Sequence, residues 1–463
     1  MAETRHDAPE VSAVDSDRPP RVIPDQQSGL STTNATDAEI TTTVLAAVDR
    51  QLEHAIDLLG HLIAIPSTGG SEAEAEIQHV LAEILFSDGF DVDLWALDLP
   101  DLTSQPDFPG MEVTRREAFG LVAVLPGIAP ELGLSLLVNG HADVVPAGDP
   151  NSWSGDPFTM RREEREGRET LLGRGTCDMK SGLVASIVAA RALNSVGVKL
   201  AGDLMIAPVI GEEDGGLGTY ALMRRGITAD ACLIPEPTDL DLIPANAGAL
   251  TFRLRIPGRA THASRRTEGI SAIENFNLVN AALVELETRR NSAVDPMMSR
   301  WPIAYPLSIG TIQAGDWAST VPDLLIAEGR YGVALGETAA DARAELETTI
   351  DEINASDAFL RAHPVTLEWW GGQFEPGVSG DDYLIDLTRR SHFVAAPNRR
   401  RLEVYGAPYG SDLRLIAPHM PVVQYGPGDA RSAHSPDESI AVADLLSSMR
   451  AMALIYLEHC HIV

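Results

Sequence analysis

The feature that most constrains this chain is a series of apolar strands, each followed by a loop with a side chain that can ligate a metal. An apolar run from Leu134 to Val138 leads directly to His141 and Asp143, and Asp178 follows on a glycine-bounded turn before a predicted helix over residues 183–193. The carboxyl ends of parallel strands meet at one edge of a sheet, where functional groups gather. The pattern therefore predicts an α/β fold with a site at that edge.

The same pattern recurs three more times along the chain. The further candidates follow predicted strands: Glu212 and Glu213 after residues 204–210, Glu236 after residues 231–234, and His434 after residues 422–425. Imidazole and carboxylate groups suit divalent ions such as zinc, and two histidines with three carboxylates suffice for two ions. A remaining carboxylate next to a ligand could act as a general base. Each side chain alone would more often be solvated, because the chain has 67 acidic residues, but their joint order favours a metal site.

The chain also resembles a family of di-zinc metallohydrolases that includes acetylornithine deacetylase, succinyl-diaminopimelate desuccinylase, aminoacylase and glutamate carboxypeptidase. The resemblance extends from about residue 55 to the C-terminus and rests on the ordered motifs GHADVVP, GRGTCDMK, GEED, PEPT and AHSPDE. It implies a hydrolase that cleaves the amide bond of a small N-acylated amino acid or amine. A di-zinc dipeptidase or carboxypeptidase is the alternative, and a non-catalytic binding protein on the same fold is a second one.

The resemblance implies a role for each candidate. Asp178 would bridge two divalent ions, zinc with cobalt or manganese as substitutes, and the peptide bond after it would be cis. Glu212 would be the general base, and the carboxylate of Asp143 would orient the ring of His141. The residues that would ligate the two ions are His141, Asp178, Glu213, Glu236 and His434.

The sequence changes in character after residue 247. Residues 249–256 alternate with period two, and a predicted helix, two strands and a second helix follow, which indicates an inserted α+β block of ferredoxin-like order. We expect a lid over residues 248–370 that divides the catalytic domain into residues 40–247 and 371–463. The resemblance implies that the lid forms a homodimer interface. It also implies that His262 reaches an active site, often that of the partner, and stabilises the oxyanion.

Three further residues are expected to bind the substrate. The resemblance assigns a substrate carboxylate to Arg330, although this arginine lies two residues nearer to Pro322 than is usual in the family. In the loop 406–412, Gly410 would permit close backbone approach and Ser411 would hydrogen bond to the substrate, with an ordinary tight turn as the alternative. Since this motif contains no second basic residue, we expect a substrate with at most one carboxylate in the pocket.

The composition of the chain limits the classes of partner that it can bind. A chain of 463 residues favours two domains, and a net charge of −32 argues against nucleic-acid or anionic-membrane partners. Three cysteines cannot form a disulfide framework, which favours the cytoplasm. Residues 1–39 are polar, without the apolar stretch of a signal peptide, and are predicted to be disordered. The expected partner is therefore a small N-acyl substrate, together with a second copy of the chain.

Overall fold

The computed structural model describes residues 35–399 and 401–463. The α-helices of these ranges are α1 (Ala35–Arg50), α2 (Leu52–Ile63), α3 (Glu72–Ser87), α4 (Leu99–Thr103), α5 (Lys180–Ser195), α6 (Leu217–Arg224), α7 (Ala272–Arg290), α8 (Ala339–Ser356), α9 (Ala358–Ala362), α10 (Asp382–Ala395), α11 (Leu413–Ile416) and α12 (Val442–His459). The strands are β1 (Asp91–Ala96), β2 (Phe119–Leu125), β3 (Leu136–His141), β4 (Arg161–Arg165), β5 (Arg168–Leu172), β6 (Leu204–Val209), β7 (Ala231–Ile234), β8 (Leu242–Asn246), β9 (Gly248–Pro257), β10 (Leu307–Ala314), β11 (Leu324–Val333), β12 (Thr366–Phe374), β13 (Gly377–Val378), β14 (Val404–Ala407), β15 (Val422–Gln424) and β16 (Ser439–Ala441).

The larger sheet has nine strands in the order β1-β2-β6-β3-β7-β15-β8-β13, with β14 also paired to β8. Its central strands β6, β3, β7 and β15 run parallel to one another, so their carboxyl ends meet at one edge. Strands β3 and β6 are buried along their whole length because helices cover both faces of the sheet. The predicted α/β class with a mostly parallel, helix-flanked sheet is confirmed.

Helix α5 lies against the loop that follows β7. A methyl group on Gly182 would lie 1.9 Å from the carbonyl oxygen of Pro235, so only glycine permits this approach. The contact brings the start of α5, just after Asp178, next to the residue that follows Pro235, which is Glu236. Small side chains along α5, such as Ala185 and Ala189, are fully buried in the same core.

The lid consists of a four-stranded antiparallel sheet in the order β10-β11-β9-β12. Helices α7 and α8 bury their apolar faces against it, with Phe252 and Leu254 of β9 at the centre of that core. The elements follow one another in the β-α-β-β-α-β order expected from the sequence. The boundary predicted between residues 370 and 371 falls inside β12, because Gly371 and Gly372 interrupt the pairing register without ending the strand.

The predicted disordered segment 1–39 overlaps α1, which begins at Ala35. The hydroxyl groups of Thr42 and Thr43 donate to the carbonyl oxygens of Ala38 and Glu39, which belong to the first turns of this helix. The remainder of the predicted segment lies outside the described residues. Across residues 35–399 and 401–463, each helix is too short or too polar to span a bilayer.

Candidate active site

The ligating atoms of His141, Asp178 and Glu213 all lie within 4.8 Å of one another. His141 Nε2 is 2.9 Å from Asp178 Oδ1 and 4.0 Å from Glu236 Oε2. His434 Nε2 is 3.4 Å from Asp178 Oδ2 and 3.0 Å from Glu213 Oε2. The tertiary structure thus brings all five predicted ligands together, with one oxygen of Asp178 facing each histidine.

The parallel strands explain this convergence. His141 is the last residue of β3, Glu213 follows β6, Glu236 follows β7, and His434 lies in the loop between β15 and β16. Asp178 lies in the turn before α5, and the peptide bond between it and the next residue is cis, as the resemblance implied. Each side chain therefore extends from a rigid strand or turn at the same edge of the sheet.

The electrostatics of this cluster suit a divalent cation. Burial raises the pKa of Glu212 and of Glu236 well above the usual range, and neighbouring carboxylates raise both further. Burial would also raise the pKa of Asp178, but hydrogen bonds from His141 and His434 hold it below its usual range. A group of two imidazoles, of which His141 is buried and His434 is exposed, with an excess of carboxylates matches the donor set of zinc and similar ions. The residues present therefore fit two divalent metal ions.

Asp143 contacts His141 differently from the expectation. The backbone carbonyl oxygen of Asp143 lies 2.9 Å from Nδ1 of the imidazole, whereas the nearer carboxylate oxygen is 3.7 Å away. The carboxylate instead accepts from the backbone N–H groups of Glu212 and Glu213 at 3.4 and 3.3 Å. The main chain therefore orients His141, and the carboxylate, whose pKa burial raises to about 7, holds the turn that follows β6.

Glu438 is a residue that the sequence analysis did not single out. Its Oε1 accepts from the backbone N–H groups of Gly175, Cys177 and Asp178 at 3.0, 2.8 and 2.9 Å. The other oxygen is 2.5 Å from Nη1 of Arg174, and both side chains are buried. Glu438 is the last residue of the AHSPDE motif, and its place in this motif is the sequence feature that could have pointed to a role at the site. It ties the His434 loop to the Asp178 turn.

A pocket of about 330 Å³ opens onto the cluster. Its lining includes Asp178, Glu212 and Arg330, together with an apolar wall formed by Pro237, Pro306, Phe374, Pro408 and Tyr409. The guanidinium carbon of Arg330 lies 5.1 Å from the ring centre of Phe374, and within the described part of the chain this side chain has no ion-pair partner. Arg330 therefore reaches the pocket despite its unusual spacing in the sequence.

The loop 406–412 lines the pocket, but the two residues predicted to bind substrate have other contacts. The hydroxyl of Ser411 donates to Asn246 Oδ1 at 3.0 Å and accepts from Gln424 Nε2 and the N–H of Leu413. These three bonds use the hydroxyl hydrogen and both oxygen lone pairs of Ser411. The hydroxyl therefore has no free donor or acceptor for the predicted hydrogen bond to substrate. The absence of a side chain at Gly410 makes room for Phe374, since a methyl there would lie 2.1 Å from the ring.

Arg414 departs from the sequence expectation, whereas the expected reach of His262 into an active site, often that of the partner, stays a prediction. Arg414, two positions beyond the loop 406–412, is a second basic residue near the pocket, with its guanidinium 4.0 Å from the ring centre of Phe374. Its Nη2 donates to the carbonyl oxygen of Gly215 at 2.7 Å, which holds it behind the wall. His262 lies on an exposed lid turn, where Nδ1 accepts from the N–H of Ser264, and it does not line the pocket described for its own chain.

The fold and the cluster define this protein as a metal-dependent hydrolase with a dinuclear donor set. Residues 137–458 match the family model described as Peptidase family M20/M25/M40. Because this match covers more than half of the chain, the protein belongs to peptidase family M20/M25/M40, and it is an enzyme that hydrolyses amide bonds.

The chain is similar to two curated proteins named N-formyl-4-amino-5-aminomethyl-2-methylpyrimidine deformylase. It is 25% identical to the one from Halalkalibacterium halodurans over 444 residues (90% of this chain and 97% of that protein). It is 28% identical to the one from Bacillus subtilis over 424 residues, which cover 86% of this chain and 93% of that protein.

Solved structures share the fold at lower sequence identity. The di-peptidase Dug1p from Saccharomyces cerevisiae superposes with a TM-score of 0.71 at 17% identity, over 91% of this chain and 98% of that one. A Bacillus subtilis protein described as a dinuclear metal-binding peptidase of family M20 superposes with a TM-score of 0.54 at 15% identity, over 89% and 99% of the two chains.

Proposed function

We propose that this enzyme removes a short acyl group, such as formyl or acetyl, from the nitrogen of a small amine or amino acid. The observation that supports the proposal best is the position of Glu212, which lines the same pocket as the proposed ligands Asp178, Glu213 and His434. A pocket of about 330 Å³ suits a small substrate rather than a long peptide. The curated relatives named as deformylases support a short acyl group.

The proposed roles of the residues follow from their contacts. Divalent ions, which would be held by His141, Asp178, Glu213, Glu236 and His434, would polarise the amide carbonyl and acidify a water molecule. Glu212 accepts a proton from the attacking water and later passes it to the leaving nitrogen.

Arg330 is proposed to bind the part of the substrate that remains after deacylation. Its guanidinium lies next to Phe374 in the apolar wall of the pocket. Among the described residues it forms no ion pair with a carboxylate. A substrate carboxylate would supply that partner through a charge-assisted hydrogen bond. Arg414 adds positive charge behind Phe374 but is already bonded to Gly215, so we expect it to tune the pocket without contacting substrate.

A dipeptidase is the second candidate, supported by the fold shared with the yeast di-peptidase. The same attack on an amide carbonyl serves both substrate classes. The finer resemblance to acetylornithine deacetylase and succinyl-diaminopimelate desuccinylase remains a prediction within the M20 family.

A side-by-side assay separates these candidates. The panel contains the N-formyl, N-acetyl and N-succinyl derivatives of one amino acid and of one amine without a carboxylate, together with dipeptides. We expect kcat/KM for the formyl or acetyl derivatives to exceed that for the others by about tenfold or more, a difference of about 1.4 kcal/mol. A preference for succinyl groups or dipeptides would overturn the proposal.

The role of Arg330 has its own variant within the same panel. Arg330→Ala should raise KM for the amino-acid derivative and leave KM for the amine derivative unchanged, since only the former presents a carboxylate. Arg255→Ala, an exposed lid arginine on β9 outside the pocket lining, is the matched control. An equal rise in KM for both derivatives would show that Arg330 does not recognise the carboxylate.

We also propose that the enzyme is a cytoplasmic homodimer that pairs through its lid. Helix α7 exposes Ile273, Leu278 and Val284, and the edge strand β10 exposes Ile312. Pairing would cover these apolar side chains and allow His262 to reach the active site of the partner. Light scattering should show a dimer for the native protein and a monomer for Leu278→Glu. The three free cysteines, all buried, are consistent with a reducing compartment.

A further inference from the structure

Residues 98–117 contain a buried arginine that the proposed reaction does not use. Arg115 lies in the segment before β2, and its side chain has no exposed surface. Its Nε and Nη2 donate to the two carboxylate oxygens of Glu74 at 2.9 and 2.8 Å. Its Nη1 and Nη2 donate to the two oxygens of Asp214 at 2.9 and 2.7 Å. One guanidinium thus makes two bidentate ion pairs, the strongest arrangement available to an arginine.

The two partners of Arg115 belong to segments next to the site. Asp214 directly follows Glu213 in the turn after β6. Glu74 lies in the first turn of α3 and accepts from the N–H of Gly70, in the loop that precedes this helix. That loop lies against the segment after β3, because the hydroxyl of Ser67 donates to the carbonyl oxygen of Ala142 at 2.6 Å. Arg115 therefore joins the turn that holds Glu212 and Glu213 to the segment that follows His141.

The guanidinium also lies close to the backbone of the turn after β6 and of the loop before α3. A methyl group on Gly211, the residue before Glu212, would lie 3.0 Å from Nη2 of Arg115, and one on Gly69 would lie 3.3 Å from the same atom. Both distances are shorter than ordinary van der Waals contact. The position of the turn therefore depends on where the guanidinium lies.

The segment that bears Arg115 is itself fixed on its other side. The backbone N–H groups of Glu112 and Val113 donate to Asp214 Oδ2 at 3.1 and 3.0 Å. The carboxylate of Glu112 accepts from the hydroxyl of Thr251 and the N–H of Gly372, both in the lid. Arg115 thus extends from a segment that the lid sheet holds in place. This segment is therefore a rigid support for the contacts of Arg115 with Asp214 and Glu74.

From this geometry we propose that Arg115 is a positioning residue that sets the placement of Glu212 and Glu213. The proposal rests on the proposed function, in which these two residues are general base and ligand. Arg115 acts on them through Asp214 and does not touch substrate. Without the two bidentate pairs of Arg115, the carboxylates of Glu74 and Asp214 would be buried and imperfectly paired. The turn after β6 would then shift until these carboxylates reach water or other donors.

The variant Arg115→Lys tests this role because lysine keeps the charge and cannot form two bidentate pairs. We expect kcat to fall about 10- to 100-fold while KM changes less than about twofold, because binding groups such as Arg330 are untouched. We also expect the Kd for zinc, measured by competition with a chelator, to rise about tenfold as Glu213 moves.

The matched control is Arg191→Lys. Arg191 makes a bidentate ion pair with Asp88 near the end of α5 that lies opposite Asp178, and neither residue lines the pocket. Its replacement should lower Tm as Arg115→Lys does, with kcat and the zinc Kd unchanged. If Arg115→Lys also leaves kcat and the zinc Kd unchanged, the role of Arg115 is purely structural and the proposal is wrong.

Two further variants keep the outcome interpretable. If Arg115→Lys does not fold, Asp214→Asn removes one of the two pairs with little change in shape, and it should show the same fall in kcat at constant KM or overturn the proposal. Glu212→Gln is measured in parallel. Full activity of Glu212→Gln would contradict the proposed function, whereas its inactivity with normal behaviour of Arg115→Lys and Asp214→Asn would contradict the positioning role alone.

Discussion

Glu438 Oε1 accepts a hydrogen bond from the backbone N–H of Asp178 at 2.9 Å, although the two residues lie 260 positions apart in the chain. Glu438 follows His434 by four residues, so the bond connects the segments of two proposed ligands. Since Asp178 faces both histidines of the cluster, its turn has to be held more firmly than a surface loop. The buried pair between Glu438 and Arg174 supplies that support.

Replacement of Glu438 by glutamine should therefore weaken metal binding. The amide cannot maintain the ion pair with Arg174, and the turn that bears Asp178 loses its charged acceptor. We expect the zinc Kd to rise about 10- to 100-fold, measured by chelator competition. Glu337→Gln, which breaks a buried ion pair in the lid, is the control and should lower Tm alone. An unchanged zinc Kd in Glu438→Gln would show that the turn is held by other contacts.

Replacement of Glu212 by glutamine should abolish most activity and retain the metal. The amide cannot accept the proton of the attacking water, so we expect kcat to fall about a hundredfold or more. Elemental analysis should still find two divalent ions per chain, because Glu212 is not a proposed ligand. Glu352→Gln, at an exposed position on α8, is the control for the substitution itself. A fully active Glu212→Gln variant would require another general base.

Replacement of Gly410 by alanine should deform the pocket. The new methyl group would lie 2.1 Å from the Phe374 ring, so the ring has to move into the space that the substrate occupies. We expect KM to rise and stability to fall by about 1–3 kcal/mol, as for other overpacked sites. Gly380→Ala is the control, because nothing lies within 4 Å of the added methyl group. Equal KM values for the two variants would contradict this account of the loop.

Stability should fall as the pH is lowered, in part through His392. Burial, with a contribution from the nearby charge of Arg399, lowers the pKa of His392 to about 4, and its Nδ1 pairs with the hydroxyl of Tyr425. The imidazole of His392 binds a proton near pH 6.5 in the unfolded chain and only near pH 4 in the folded chain. The contribution of the neutral imidazole to stability is therefore complete above pH 6.5 and is lost as the pH falls from 6.5 to 4. It amounts to on the order of 2–3 kcal/mol.

The measurement for His392 is the free energy of unfolding at pH 7.5 and pH 5.0. His392→Gln has no imidazole to protonate and should lose less stability over this interval than the native protein. Other acidic groups titrate equally in both proteins, so the difference between them isolates the histidine. An identical pH dependence would show that His392 protonates in the folded state without cost.

Several features of the site could be predicted from local sequence. His141, Glu213 and Glu236 each lie at or just after the end of a short apolar run bounded by turn residues, which is the pattern of a buried strand, and parallel strands bring their carboxyl ends to one edge. The order of elements in the lid was also predictable, because period-two and helical patterns differ clearly. In these cases the information lies within about ten residues of each position.

The amino-acid sequence by itself determined the central strands of the parallel set, the order of elements in the lid, and which side chains lie at the ends of those central strands. The tertiary structure alone decided how those side chains are held. That Arg115 pairs with Asp214, that Glu438 binds the turn of Asp178, and that the hydroxyl of Ser411 is consumed internally all depend on contacts between distant segments. Such contacts are set by packing in three dimensions, where a single ångström decides whether a hydrogen bond forms, and no local pattern encodes that distance.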